Sequence, residues 1–325
     1  MCGHARPMTT PHLDPRQAAT AEPDTEPTVI LARDSSPSEL RAGLRSRTLE
    51  RVRRGAYRRI DDETEGMLSD ERARRATARI HAIEAQLTTP HWFSHESAAL
   101  IWGCWVRLRD EETHLIQDHH PGSGRDRALA RHNPALPMRD RTEHGGLPVT
   151  SLARTVVDVA CQAPGGDAIM VVDSALRLGV DRGQIARIVR SRAGHRGIAR
   201  ARLVLAAADA RSESPGESTL RWITLDPTLP RFVPQVEVVT RAGLFRVDLG
   251  NPKLKIALEF DGAIKYSGRF GPATRVLEEQ ARRQAALEAE GWIVVRFTWE
   301  DLADPGAVVA RIQRAVAAAS RRASA

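Results

Sequence analysis

The sequence predicts an α/β protein, α+β overall, on three observations. Two short helical stretches and a basic strand lie near the N-terminus. Apolar residues at helical spacing fill much of the middle, and the last third orders its elements α-β-β-β-α-β-α. At 325 residues the chain can form two or three compact units, each with its own core. Only 4% of residues are aromatic, so those cores are expected to be mainly Leu, Val, Ile and Ala. Without a run of about 18 or more apolar residues, no transmembrane helix is expected.

Residues 1–27 lack the apolar centre of a secretory signal, and their Pro, Thr and charged content reads as disorder. The tail is placed at residues 1–35. Cys2, Cys104 and Cys161 are odd in number and widely spaced, with no disulfide framework or paired metal-ligand pattern. That usage fits a reducing cytoplasm. A formal charge of +7 favours an acidic partner, DNA being the first candidate, against the alternative of a generally basic soluble protein.

Around the start of residues 36–62, "SSPSELRAGL" (35–44) and "SRTLERVRRG" (46–55) read as two helices with Ser and Pro at a start and Gly55 at an end. "AYRRI" reads as a strand. Two helices followed by a basic strand make a winged helix-turn-helix arrangement. Residues 38–60 hold eight arginines against two glutamates, a net charge of +6. Arg45, Arg47, Arg51, Arg53, Arg54, Arg58 and Arg59 are the candidates for phosphates and guanine edges. A solvated basic helical hairpin is the alternative.

Residues 63–212 are expected to form a mixed α/β domain. "SDERARRATARIHAIEAQL" reads as a long charged helix carrying Ile80, Ile83 and Leu87, and "SHESAALIWG" as a short apolar one. "THLIQDHH" and the basic stretch beyond "PGSGRDR" read as strands. His119 and His120 have no acidic or thiol cluster beside them and read as surface loop. Thr150 or Ser151 caps a helix over "LARTVVDVACQ", and further helices follow at about 167–178, 181–192 and 195–210.

Residues 213–325 change character. "SPGESTLRWITLD" starts a helix, then "RFVPQVEVVT", "GLFRVDLG" and "KLKIALEFDG" are three β-rich runs. A helix ended by Gly291, the strand "WIVVRFTW" and a closing helix complete the order. Side chains alternate along a strand, so Glu259 and Asp261 share a face. Asp248 ends the preceding run, and Glu217 starts the helix ahead of the sheet. Carboxylates of this kind suit Mg²⁺, a hard ion that activates water and neutralises charge at a scissile phosphate, and a nearby lysine would stabilise the developing charge. Of 48 basic residues only Lys253, Lys255 and Lys265 are lysines, all in or just beyond this stretch.

Spacing leaves two readings open. A tight turn at Asn251-Pro252 sets Asp248 opposite Lys255 and leaves Glu259 about 14 Å further on. A shared metal site then requires the strands to diverge, bulge or twist near Asp248. The other reading is an exposed sheet face whose lysines deter edge pairing.

Across about residues 215–300, "ESTLR", "RVDL", "ALEFDG", "RRQAALEAEGW" and "VVRF" resemble the Vsr-like branch of the PD-(D/E)XK endonuclease superfamily. The resemblance implies a restriction-endonuclease-like α-β-β-β-α-β core. It implies metal-ligand roles for Asp248 and Glu259 toward Mg²⁺, a supporting acidic role for Glu217, and DNA endonuclease activity. The family's lysine two residues after the second acid is Asp261 here, and Lys265 is the candidate to take that role from the adjoining loop. Over about residues 35–210, "LERVRRGAYRRI", "SHESAALIWG" and "GLPVTSLARTVVDVA" resemble AbiEi-type antitoxins. That resemblance implies an N-terminal winged helix that binds DNA, and in some members neutralisation of a nucleotidyltransferase toxin. Three readings follow: a metal-dependent DNA endonuclease, a transcriptional regulator or antitoxin whose nuclease-like domain is inactive, or a DNA-associated protein with neither activity.

Overall fold

The computed structural model describes residues 29–60, 68–109, 112–118, 126, 128–132, 135–262 and 273–323. It is an α+β structure with three sheets, divided into two compact units, Met1–Asp62 and Glu63–Ala325. His119, His120, Lys265 and most of the expected tail lie outside the described residues. No described helix is long and apolar enough to cross a membrane.

In the first unit, β1 (Val29–Leu31), α1 (Pro37–Arg45), β2 (Leu49–Arg53) and β3 (Ala56–Arg59) follow in order. The strands form an antiparallel sheet ordered β1-β3-β2. α1 starts as its sequence requires, with Ser36 accepting from the Ser38 amide and Pro37 at the first helical position. The second helix expected over residues 46–55 is instead β2 and the turn after it. Gly55, read as a helix end, has φ 74° and closes the β2–β3 hairpin. A glycine after polar residues terminates a helix and turns a hairpin equally well. Strand pairing wins because it buries Val52 and Ala56.

The second unit opens with α2 (Leu68–Gln86), β4 (Trp92–Phe93), α3 (His95–Ile101), β5 (Thr113–Ile116), β6 (Leu129–His132), β7 (Arg141–His144) and β8 (Leu147–Thr150). Its five-stranded sheet runs β6-β5-β4-β8-β7. Ile80 and Ile83 of α2 pack with Phe93, Leu115 and Val149, so the periodicity of that helix does mark its buried side. Four helices follow: α4 (Leu152–Gln162), α5 (Gly165–Arg177), α6 (Arg182–Ser191) and α7 (Ile198–Ala207). They close around Val156, Val157, Ile169 and Val172. Ser151, not Thr150, caps α4 by accepting from the Arg154 amide.

Beyond them come α8 (Pro215–Ile223), β9 (Val233–Thr240), β10 (Gly243–Asn251), β11 (Ile256–Phe260), α9 (Ala273–Ala289), β12 (Ile293–Phe297), α10 (Trp299–Leu302) and α11 (Pro305–Ala323). The expected order is present, with α10 added before the closing helix. The sheet runs β12-β11-β10-β9, parallel only between β11 and β12. Leu220 of α8 and Ile312 of α11 pack with Leu258 on one side, and Leu287 of α9 packs with Val247 and Ala257 in a second cluster. Helices therefore cover both faces, which rules out the exposed sheet face as the environment of "ALEFDG". All five residues of β11 are buried.

Candidate functional site

The acids of the C-terminal sheet converge because the hairpin is longer than a tight turn. Leu249 pairs with Leu258 and Asn251 with Ile256, so residues 252–255 make the reversal. Asn251 holds this loop, its Oδ1 accepting from the Leu254 amide at 3.0 Å and its Nδ2 donating to the Arg231 carbonyl at 2.9 Å. Lys255 closes it with φ 49°. Extending the register by one residue brings Asp248 opposite Glu259 rather than Lys255. Lys255 lies at the far end of the strand, where its Nζ donates to the Glu290 carbonyl just past α9.

The irregularity that a shared site requires is also present. Gln235 falls opposite Asp248 in the β9–β10 register, has φ 57°, and is skipped between the pairs Val247–Val236 and Leu249–Pro234. There the Asp248 carboxylate takes over a backbone partner, with Oδ2 accepting from the Phe260 amide at 2.7 Å. Gln235 Nε2 and the Glu213 amide each donate to Glu217 Oε2 at 2.8 Å, fixing the acid of α8. α8 approaches closely enough that a Cβ on Gly216 would lie 2.1 Å from the Phe260 ring, so "PGEST" needs its glycine.

Electrostatics follow from burial. Burial, and then the Glu217 charge, push the Asp248 carboxyl up to about 7. Glu217 is raised chiefly by burial as well. Glu259 has cationic partners: Arg283 Nη2 donates to its Oε1 at 2.6 Å, and Arg296 Nη2 lies 3.5 Å from Oε2. Arg296 faces Glu259 across the parallel β11–β12 register and also reaches Asp261 at 3.8 Å. Gln280 Nε2 contacts Asp261 Oδ1 at 3.4 Å. Gln280 lies in none of the quoted motifs, and although Arg296 lies in "VVRF", the register that delivers it to Glu259 exists only once β12 is paired.

The donor atoms suit Mg²⁺, but the arrangement as a whole does not fit it. The cavity between the acids and arginines is about 20 Å³, room for one water-sized particle. Mg²⁺ keeps several waters. Among the described residues both guanidiniums also retain a buried Nε without a hydrogen-bond partner, which favours water or an anion over a dication.

In the N-terminal unit, Arg45, Arg47, Arg51, Arg54 and Arg59 are exposed and Arg53 is half-buried. Arg58 is in the fold instead: it is 6% exposed and its Nη2 meets Glu50 Oε2 at 2.7 Å, directly across the strand pair. Alternation along β3 puts it on the opposite face from Arg59.

A stretch of 168 residues, 51% of this chain, is 34% identical to the uncharacterized proteins MT2308 and Rv2248 from two strains of Mycobacterium tuberculosis. The chain spans 60% of the length of those relatives. The crystal structure of the RV2827C protein from Mycobacterium tuberculosis aligns with a TM-score of 0.35 and 15% identity, covering 65% of this chain and 80% of that one. The family match falls between the N-terminal unit and the carboxylate cluster: residues 72–207 match the AbiEi antitoxin C-terminal domain.

Proposed function

We propose that the protein is a DNA-binding regulator of antitoxin type, with a C-terminal sheet that serves as a structural or protein-binding module. The match of residues 72–207 to an antitoxin domain carries this reading. It implies a toxin protein as partner, and the resemblance in the sequence implies one of nucleotidyltransferase type. The exposed arginines of α1 and the β2–β3 hairpin support DNA binding, with α1 as the groove-facing helix and the hairpin as the wing of a winged helix. Replacing Arg51 and Arg54 together with alanine is expected to weaken DNA binding. The slope of log affinity against log salt should fall by about two, one for each phosphate no longer neutralised. A slope equal to that of the wild type removes the hairpin from the interface.

The endonuclease reading rests on a specific observation, the meeting of Asp248 and Glu259 across the β10–β11 register beside Glu217. A Vsr-like nuclease core would use these acids to hold Mg²⁺. Arg283 and Arg296 on Glu259 weigh against it, since they supply the positive charge that the ion would bring. With Mg²⁺ or Mn²⁺, the wild type is expected to cut plasmid DNA no faster than Asp248→Ala. Metal-dependent cutting that the substitution abolishes would restore the endonuclease and displace the structural role of the sheet.

A further inference from the structure

Three histidines of the middle region, none of them marked by spacing in the sequence, meet beside the five-stranded sheet. β5 and β6 are parallel neighbours, with His114 opposite Ala130 and Ile116 opposite His132, so both histidines project from one face. His95 arrives from the first residue of α3, two positions beyond β4, the other neighbour of β5. One ring nitrogen of each lies within 4.8 Å of the other two. His114 Nδ1 and His132 Nε2 are 3.0 Å apart, and the rings of His95 and His132 stack with centroids at 3.9 Å.

Two of the outward nitrogens face polar groups. His95 Nδ1 lies 3.0 Å from Ser94 Oγ, which leaves Nε2 to face the cluster. His114 Nε2 faces Glu96 Oε2 at 3.8 Å, a buried oxygen with no hydrogen-bond partner among the described residues. Metal-ligating histidines are oriented in this way, with the second ring nitrogen engaged by a carboxylate, a carbonyl or another polar group. His95 also holds φ 52°, a left-handed conformation that disfavours a side chain and is kept only where surrounding structure compensates.

We infer that His95, His114 and His132 bind one divalent transition-metal ion of the zinc class, with Glu96 orienting His114. Imidazole donors suit zinc, copper or nickel rather than magnesium. In a tetrahedral zinc site two ligand nitrogens sit about 3.3 Å apart, a small opening of the present His114–His132 contact. Three protein ligands leave a fourth position, and a cavity of about 660 Å³ lined by His95 and His132 lies beside them. Arg131, Arg192, Arg196 and Arg200 also line that cavity; Asp158 pairs with Arg192, and the remaining positive charge suits an anion such as hydroxide at the fourth position. Glu96 supplies the local negative charge.

The test uses the full chain stripped by a chelator. Zn²⁺ alone is titrated against a chromophoric competitor, and Co²⁺ is followed by visible absorption. One ion per chain is expected, with cobalt bands of a four- or five-coordinate site. His114→Gln and His132→Gln should each weaken binding at least 100-fold and remove the bands, while Glu96→Gln should cost about 10- to 100-fold. Circular dichroism melting identifies the folded variants. X-ray absorption of zinc-loaded wild type needs no variant and should show three imidazoles. Fewer than one ion on folded wild type, fewer than three imidazoles in its shell, or unchanged affinity in the folded histidine variants would overturn the site.

Discussion

Asp248→Asn is expected to make the protein more stable than the wild type at pH 8 and to leave it nearly unchanged at pH 4. The wild-type carboxyl is raised to about 7 by burial and then by Glu217, whereas in the unfolded chain it titrates near its ordinary value. Between those two values the folded state binds the extra proton, so wild-type stability falls as pH rises through that window. A shift of about three units corresponds to at most roughly 4 kcal/mol at pH 8. Asp248 keeps some solvent contact, so about 2 kcal/mol is the expected size. In a unit of this length that is about 4–8 °C in melting temperature. Asparagine cannot ionise but keeps an oxygen for the Phe260 amide. Urea unfolding of both proteins at pH 4, 6 and 8 measures the effect. A stability difference that stays constant with pH would mean that Asp248 ionises freely in the fold.

That experiment depends on a register which the sequence did not disclose. The alternation of "KIALEF" gives its buried and charged positions, because period-two patterning directly encodes the faces of a strand. It does not encode how many residues reverse the chain. Asn251-Pro252 looked like the turn, whereas the Asn251 side chain opens a loop over residues 252–255, and the shift brings Asp248 to Glu259. Gly55 shows the same limit, since one glycine signal served both a helix end and a hairpin. Pairings between distant strands are less legible still. Arg296 on Glu259 and the meeting of His95, His114 and His132 arise from the parallel β11–β12 pair and from the β4-β5-β6 grouping, and no local pattern specifies either. Helices α4 to α7 lie within a few residues of where their apolar spacing predicts them, because that spacing is local.

Arg221→Ala is expected to cost about 3–5 kcal/mol, because it leaves the Asp173 carboxylate buried without its cation. Asp173 is fully buried on α5, where Arg221 of α8 pairs with it and the Asp209 amide donates to Oδ1 at 2.8 Å. Burial pushes its carboxyl up even against the pull of Arg221. The same guanidinium donates to Ser212 Oγ and to the Ala207 carbonyl, so one side chain ties the end of α7 and its following segment to α8. The double substitution Asp173→Ala with Arg221→Ala should cost clearly less than the sum of the singles, because removing both partners leaves no buried charge unpaired. Chemical denaturation of the three variants measures the coupling, and strict additivity would show that the pair does not act as a unit. Asp173 lies within the segment matched to the antitoxin domain, and Arg221 lies beyond it. A fragment ending at residue 212 would therefore carry a buried aspartate without its partner and should fold less stably than the full chain.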